Sequence, residues 1–295
     1  VIFVGSDEGC LGERRKKRHP GSAGLLKSPG KARSLSKSAF RAWKRSLNSA
    51  MPSTSGRESS RKTPLAFSDL SDAELLSRRG ICAVLSDGMG GLSSGREVSE
   101  LTVLRTLEFF KTMSDKEPVC LQMKAFAAKL CEQVFDLYGK DGRAGAGATL
   151  VAVFIYGNSL YWCTAGDSRL YLFRGGRLYQ MNEDHDYKNR LLGRYIRGEG
   201  SFQEAVSHPQ KDALTSYIGC PLMEETDVSR FGFVLQNGDK ILMVTDGVYH
   251  ALTEEEMAGR MRKDPQEACR RMIMDAVSKN LPGQDNMTAM AVSYN

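Results

Sequence analysis

Two stretches of this chain carry the same device, an apolar run that ends in a hydroxyl residue followed by Asp-Gly. It occurs once as Val84-Leu85-Ser86-Asp87-Gly88 and once as Met243-Val244-Thr245-Asp246-Gly247. A short apolar run stopped by a turn signal predicts a buried strand. A rigid strand end holds a carboxylate in place, and the glycine beside it lets a backbone carbonyl come close to a cation. A third acidic turn, Gln284-Asp285-Asn286, heads the alternating stretch from Met287 to Tyr294, which reads as a last strand. Any single Asp-Gly is most simply a turn dipeptide. Their joint occurrence points to oxygen ligands for Mg2+ or Mn2+.

The rest of the ordered pattern begins near Gly80. Ile81–Leu85 reads as a strand, and helices are predicted from about Ser94 and over Val119–Tyr138, the second stopped by Gly139. A meander follows, with strands over 148–156, 159–165, 170–173 and 178–181 separated by Gly-containing turns. Connections this short require antiparallel pairing. Residues 182–215 lack a steady period and read as a loop or lid with short helical pieces. After the strand over 240–245, one helix is announced by the capping-box pair Thr253 and Glu256 and another by Asp264 before Pro265. Helices bracketing antiparallel strands define an α+β layered domain.

Charge divides the chain unevenly. Residues 1–62 hold 15 Lys and Arg against 4 Asp and Glu, a net +11, while the remainder holds 26 against 31, a net −5. A basic partner-seeking surface on the main domain is therefore not implied. The stretch 14–62 has the composition of a solvated tail or insertion suited to an acidic partner. Within it Phe40, Trp43, Leu47 and Met51 fall at helical spacing among basic residues, a pattern open to two readings. It is either a basic amphipathic helix or a disordered stretch with incidental apolar residues. Nucleic acid is not expected, because only Phe40 and Trp43 offer stacking faces there.

No run is long enough to span a bilayer. Seven cysteines never form a C-x-x-C pair, so neither a disulfide framework nor a zinc site is indicated and a reducing cytoplasm is the expected setting. The apolar start Val1–Val4 is too short for a signal-peptide core and reads as a strand. The first residue is Val rather than Met, so the natural start is expected further upstream.

Six motifs fall in order. They are Asp87-Gly88-Met89-Gly90-Gly91 with Gly95, Gly147-Ala148-Thr149, Gly166-Asp167-Ser168-Arg169, Leu214-Thr215 with Ile218-Gly219, Thr245-Asp246-Gly247, and Asp285-Asn286 with Thr288. The series resembles that of bacterial type-2C (PPM) metal-dependent serine/threonine protein phosphatases. The resemblance implies an α-β-β-α sandwich, two packed antiparallel sheets flanked by helices, with two Mn2+ or Mg2+ ions at one edge. It implies that Asp87 bridges both ions, that Gly88 offers its carbonyl, that Asp246 and Asp285 complete the centre, and that Asp167 serves a third, weaker metal position. Asp87 and Asp246 are the expected catalytic residues through these ions. Phosphoserine and phosphothreonine proteins are the implied substrates, in a pathway opposing a Ser/Thr kinase. His185 and His208 are candidates for a general acid, with a surface role as the alternative.

The family's N-terminal motif, a Gly and a phosphate-holding Arg followed by an amide-acid-Asp run, is broken here. Gly5-Ser6-Asp7-Glu8-Gly9 through Arg14-Arg15 resembles its first half, but Lys16-Lys17-Arg18-His19-Pro20 stands where the acids belong. A second placement, Gly56-Arg57-Glu58 to Asp69, puts Thr63 where the Asp is expected. Three explanations stand: a degenerate, non-catalytic relative; an insertion with acids supplied from Asp7 or Glu8; or a foreign stretch over 16–62. The expected organisation is a first strand within 1–13, a basic insertion or tail over 14–62, and a phosphatase domain over 63–295. The alternative function is a pseudophosphatase that binds phosphoproteins without turnover.

Overall fold

The computed structural model describes residues 64–89, 94–138, 146–282 and 284–295, and the backbone of residues 2–6. By its internal contacts the chain forms two units, Val1–Asp7 with Arg61–Asn295, and Glu8–Ser60. The second unit lies outside the described residues, and with it the basic stretch, both placements of the N-terminal Arg and the proposed amphipathic segment.

Two antiparallel sheets carry the fold. The first runs β1 (Ile2–Ser6), β13 (Thr288–Ser293), β12 (Lys240–Val244), β8 (Arg169–Arg174), β9 (Arg177–Gln180). The second runs β10 (Asp227–Val228), β7 (Ser159–Ala165), β6 (Leu150–Tyr156), β3 (Ile81–Leu85), β2 (Leu65–Phe67), with β11 (Phe233–Val234) also on β7. A small ribbon pairs β4 (Gly88–Met89) with β5 (Gly147–Ala148).

The strands read as continuous apolar runs because both of their faces are buried. In β12, Ile241 and Met243 enter the core between the sheets with Leu85, Val151, Val153, Leu170, Leu172 and Met290. Leu242 and Val244 face the other way, into a core shared with α6 (Asp246–Tyr249), α7 (Glu254–Met261) and α8 (Pro265–Ser278). This is the period-two alternation of a strand between two layers. On the outer face of the second sheet lie α2 (Ser94–Thr112) and α3 (Val119–Tyr138), joined by the stacked rings of Phe109 and Phe126, 4.4 Å apart. Phe110 of α2 reaches Phe154 of β6 at 4.9 Å. The result is the expected α-β-β-α sandwich. No described helix is long and apolar enough to cross a membrane.

Helix starts follow local chemistry. Thr253 and Glu256 form the predicted reciprocal capping box, and the Asp264 side chain accepts the amide of Glu267 at the start of α8. The stretch over 182–215 contains α4 (Tyr187–Ile196) and α5 (Phe202–Ser207), each with a side-chain N-cap, Asp186 and Ser201. Elements not foreseen are β2, β4, β5, β10, β11 and α1 (Ala73–Arg79). The second Asp-Gly opens the single-turn helix α6, which was not foreseen either.

Candidate metal centre

Strand register brings the sequence-derived acids to one edge of the sandwich. In the first sheet Val244, the last residue of β12, pairs with Arg169, the first of β8, and with Ala289 near the start of β13. Asp246, Asp167 and Asp285 lie just beyond those positions. In the second sheet Leu85 at the end of β3 pairs with Val151, and Leu150 with Ala165 at the end of β7. Asp87 and the turn Gly166–Ser168 therefore leave the second sheet at the same end. That turn carries the chain from β7 into β8 of the other sheet, so Asp167 sits on the connection between the two layers.

Buried hydroxyls tie these segments together. The Ser86 hydroxyl donates to the Thr149 carbonyl at 2.6 Å, and the Asp87 amide donates to Thr149 Oγ1 at 2.9 Å. The Thr149 amide returns a bond to the Asp87 carbonyl at 2.8 Å, and Thr149 Oγ1 stands 2.8 Å from Ser168 Oγ. Across the edge, Tyr249 of α6 donates its phenol to the Asp167 carbonyl at 3.1 Å. Thr245 is locked to the last strand, its Oγ1 accepting the Thr288 amide at 3.0 Å. These bonds fix the backbone on which each carboxylate rides.

The electrostatics at this edge are those of acids crowded together. Asp167 is pushed up to about 7, chiefly by burial and then by the facing charge of Asp246, with Asp184 and Asp186 adding to it. Asp246 is also raised, by burial first and by Asp285 second, against the amide of Gly247 that donates to its Oδ1 at 2.7 Å. Among the described residues, none of Asp167, Asp246 and Asp285 has a Lys or Arg partner in an ion pair. Acids that repel one another at this edge without a cationic side chain, two of them half-buried and Asp285 exposed, fit a divalent cation in donor chemistry and in charge. Among the described residues, however, no three His, Cys, Asp or Glu side chains are gathered closely enough to hold one ion. The close relations are the pairs Asp246 with Asp285 and Asp246 with Asp167. Gly90 and Gly91 lie outside the described residues, while Gly88 is described in β4.

Several participants were not singled out from sequence. Asp184, buried beside the edge, is held by Arg169 through Nη2 at 2.7 Å and Nε at 3.0 Å, and that guanidinium lies 3.7 Å from the centre of the Tyr249 ring. The run Asp184-His185-Asp186, two acids flanking a histidine in a polar stretch, was the available signal. Of the two candidate histidines, buried His185 uses Nδ1 to accept the Gly166 amide at 3.1 Å, bracing the Asp167 turn. His208 caps the end of α5, its amide donating to the Glu204 carbonyl, and its ring packs 4.8 Å from that of Tyr187. Neither contact is that of a proton donor aimed at the acids.

The architecture has clear counterparts among known proteins. The protein phosphatase 2C family model matches residues 59–284, and the chain belongs to that family. Protein phosphatase PhpP of Streptococcus pneumoniae serotype 2 (strain D39) is 31% identical over 215 residues, covering 72% of this chain and 85% of PhpP. The solved serine/threonine phosphatase of S. agalactiae superposes with a TM-score of 0.67 at 25% identity, covering 81% of this chain and 96% of that one. MsPP, a PPM Ser-Thr phosphatase of Mycobacterium smegmatis, gives 0.59 at 28% identity, over 73% and 89% of the two chains.

Proposed function

We propose that this chain hydrolyses phosphoserine and phosphothreonine in proteins, using two Mn2+ or Mg2+ ions held at the acidic edge. What carries the reading is the crowding of Asp167, Asp246 and Asp285 where both sheets end, with Asp167 and Asp246 held above the ordinary carboxylate range. Asp87, Gly88, Asp246 and Asp285 would hold the two ions, and Asp167 a third, weaker one. When bound, such ions lower the pKa of a water and neutralise charge on the transferring phosphoryl group, so no serine or cysteine nucleophile is needed. The chain's own part is positional. The Ser86, Thr149 and Ser168 hydroxyls hold the Asp87 and Asp167 backbones in place, and Thr245 with Tyr249 holds the Asp246 side. The setting proposed is the cytoplasm, opposite a Ser/Thr kinase, with the domain spanning 63–295.

A second reading has its own support. No three-acid group forms among the described residues, and basic residues stand where the N-terminal acids belong. On that reading the chain binds phosphoproteins without turnover. Hydrolysis of p-nitrophenyl phosphate and of a phosphothreonine peptide, titrated with Mn2+, separates the two. Metal-dependent turnover abolished by chelation supports the enzyme, whereas peptide binding with no turnover even at millimolar Mn2+ supports the binding protein.

A further inference from the structure

Cys131 and Cys220 are 89 positions apart, yet their sulfurs stand 3.6 Å from each other. Cys131 projects from α3, and Cys220 ends the segment Tyr217-Ile218-Gly219-Cys220 that crosses it. The backbone of that segment encloses the Cys131 sulfur. The sulfur lies 3.5 Å from the Tyr217 carbonyl and 3.4 Å from the Cys220 carbonyl, and it accepts the Gly219 amide at 3.4 Å. Both cysteines are buried, while Leu222, two residues beyond Cys220, is 67% exposed.

The geometry points to Cys131 and Cys220 as a dithiol that a hydroperoxide converts to a disulfide, tying α3 to the crossing segment and lowering turnover at the acidic edge. Bond formation brings the sulfurs from 3.6 Å to ~2.05 Å. The two thiols differ in how readily they ionise. The Cys131 hydrogen bond, outweighing burial, brings Cys220 down to about 6, while the same bond holds Cys131 up. Cys220 is thus the more readily ionised of the two and the attacking sulfur. In the first step its sulfur bonds to the distal oxygen of the peroxide as the O–O bond breaks, and the other oxygen leaves as water or an alcohol on taking a proton from solvent, giving a sulfenic acid. In the second, the Cys131 sulfur displaces that oxygen, which leaves as water with the Cys131 proton. Sulfur loses two electrons and the peroxide gains them. Burial instead keeps Cys82 and Cys163 as thiols, pushing both up.

The crossing segment is coupled to the acids by backbone. Ile218 exchanges two hydrogen bonds with Ala148, at 2.9 and 3.0 Å, and Ala148 pairs in turn with Gly88, next to Asp87. A tether at Cys220 therefore restrains the strand that Gly88 rests on. This consequence for turnover rests on the proposed phosphatase activity, whereas the sulfur chemistry does not.

The test uses the full chain, reduced and then exposed to hydrogen peroxide. Free thiols are blocked and the peptides mapped, with p-nitrophenyl phosphate turnover followed in parallel. The expected product is a peptide joining Cys131 to Cys220, lost on adding dithiothreitol, together with reduced turnover that the same reagent restores. In Cys131→Ser, oxidation should stop at a dimedone-reactive Cys220, and in Cys220→Ser the Cys131 thiol should resist peroxide. The wild-type map decides the matter even if a variant fails to fold. Oxidation elsewhere with no 131–220 peptide overturns the proposal, and a quantitative 131–220 link with unchanged turnover overturns its regulatory half. If the reduced protein shows no turnover at all, the phosphatase reading fails, and the linked peptide still decides the dithiol.

Discussion

Two aspartates bracket β12, and their surroundings are opposites. Asp239, just before the strand, accepts Arg174 Nε at 2.9 Å, Arg174 Nη2 at 2.6 Å and the Gln236 amide at 2.7 Å. Burial pushes this carboxyl up, but those donors outweigh it and hold it below the usual range. Asp246, two residues past the strand's end, is raised by burial and faces Asp285 and Asp167, with backbone amides, that of Gly247 at 2.7 Å among them, as its donors among the described residues. One end of the strand spends its acid on closing the sandwich. The other leaves acids uncompensated, which costs folding energy unless a cation arrives.

Substituting the two acids should separate these roles. Asp246→Asn should lower Mn2+-dependent turnover by about two orders of magnitude or more, since a lost cation ligand removes several kcal/mol of transition-state stabilisation. Its melting temperature in chelator should stay level or rise, because one of the repelling charges is gone. A variant that melts far below the wild type in chelator would show Asp246 to be structural instead. Asp239→Asn should do the reverse, costing about 1.5–3 kcal/mol of stability through its charge-assisted bonds. The turnover of the protein that remains folded should be unchanged, as checked by chemical denaturation beside an activity assay.

Sequence reading succeeded where the signal is local. The continuous apolar run of β12 and the Thr253–Glu256 cap depend on neighbours within a few residues, and both are as expected. It failed where meaning comes through space. The pairing of Arg169 with Asp184 and the role of Thr149 between Asp87 and Ser168 follow only after β8 is set beside β12 and β3 beside β6. The strands β2, β10 and β11 span three residues or fewer, too few to show a period. The single-turn helix that opens at Asp246 gave no signal, because Asp-Gly has the same composition whether the chain reverses or starts a helix.

The two Asp-Gly copies continue differently, Gly88 into β4 and Gly247 into α6, yet both glycines are required by close backbone approach. A Cβ on Gly247 would collide with the Asn286 carbonyl, drawing Asp285 away from Asp246, and a Cβ on Gly88 would collide with the Gly95 carbonyl at the start of α2. Each Gly→Ala change should cost about 1–3 kcal/mol as overpacking that only backbone movement relieves. The Gly247 change should in addition raise the Mn2+ concentration needed for half-maximal turnover. If alanine at both positions is silent in denaturation and in metal titration, the tight packing at this edge is not what sets the acids.

The smallest expected effect is the pH dependence of the Asp239 contribution. Its folded-state pKa lies below the unfolded value, so the folded protein binds fewer protons at this site than the unfolded chain does. The stabilisation is therefore complete above the unfolded pKa and is lost as pH falls through the folded one. In chelator, the difference in unfolding free energy between wild type and Asp239→Asn should be flat above about pH 5 and shrink towards acid. Taking the difference cancels the other carboxylates, including the raised pair at the opposite end of β12, whose effect has the opposite sign. Arg174 stays charged throughout, so any narrowing of the gap reports the protonation of Asp239 itself. A gap that keeps its full size through the acid range would mean that packing of the Asp239 side chain, and not its charge on Arg174, closes this end of the sandwich.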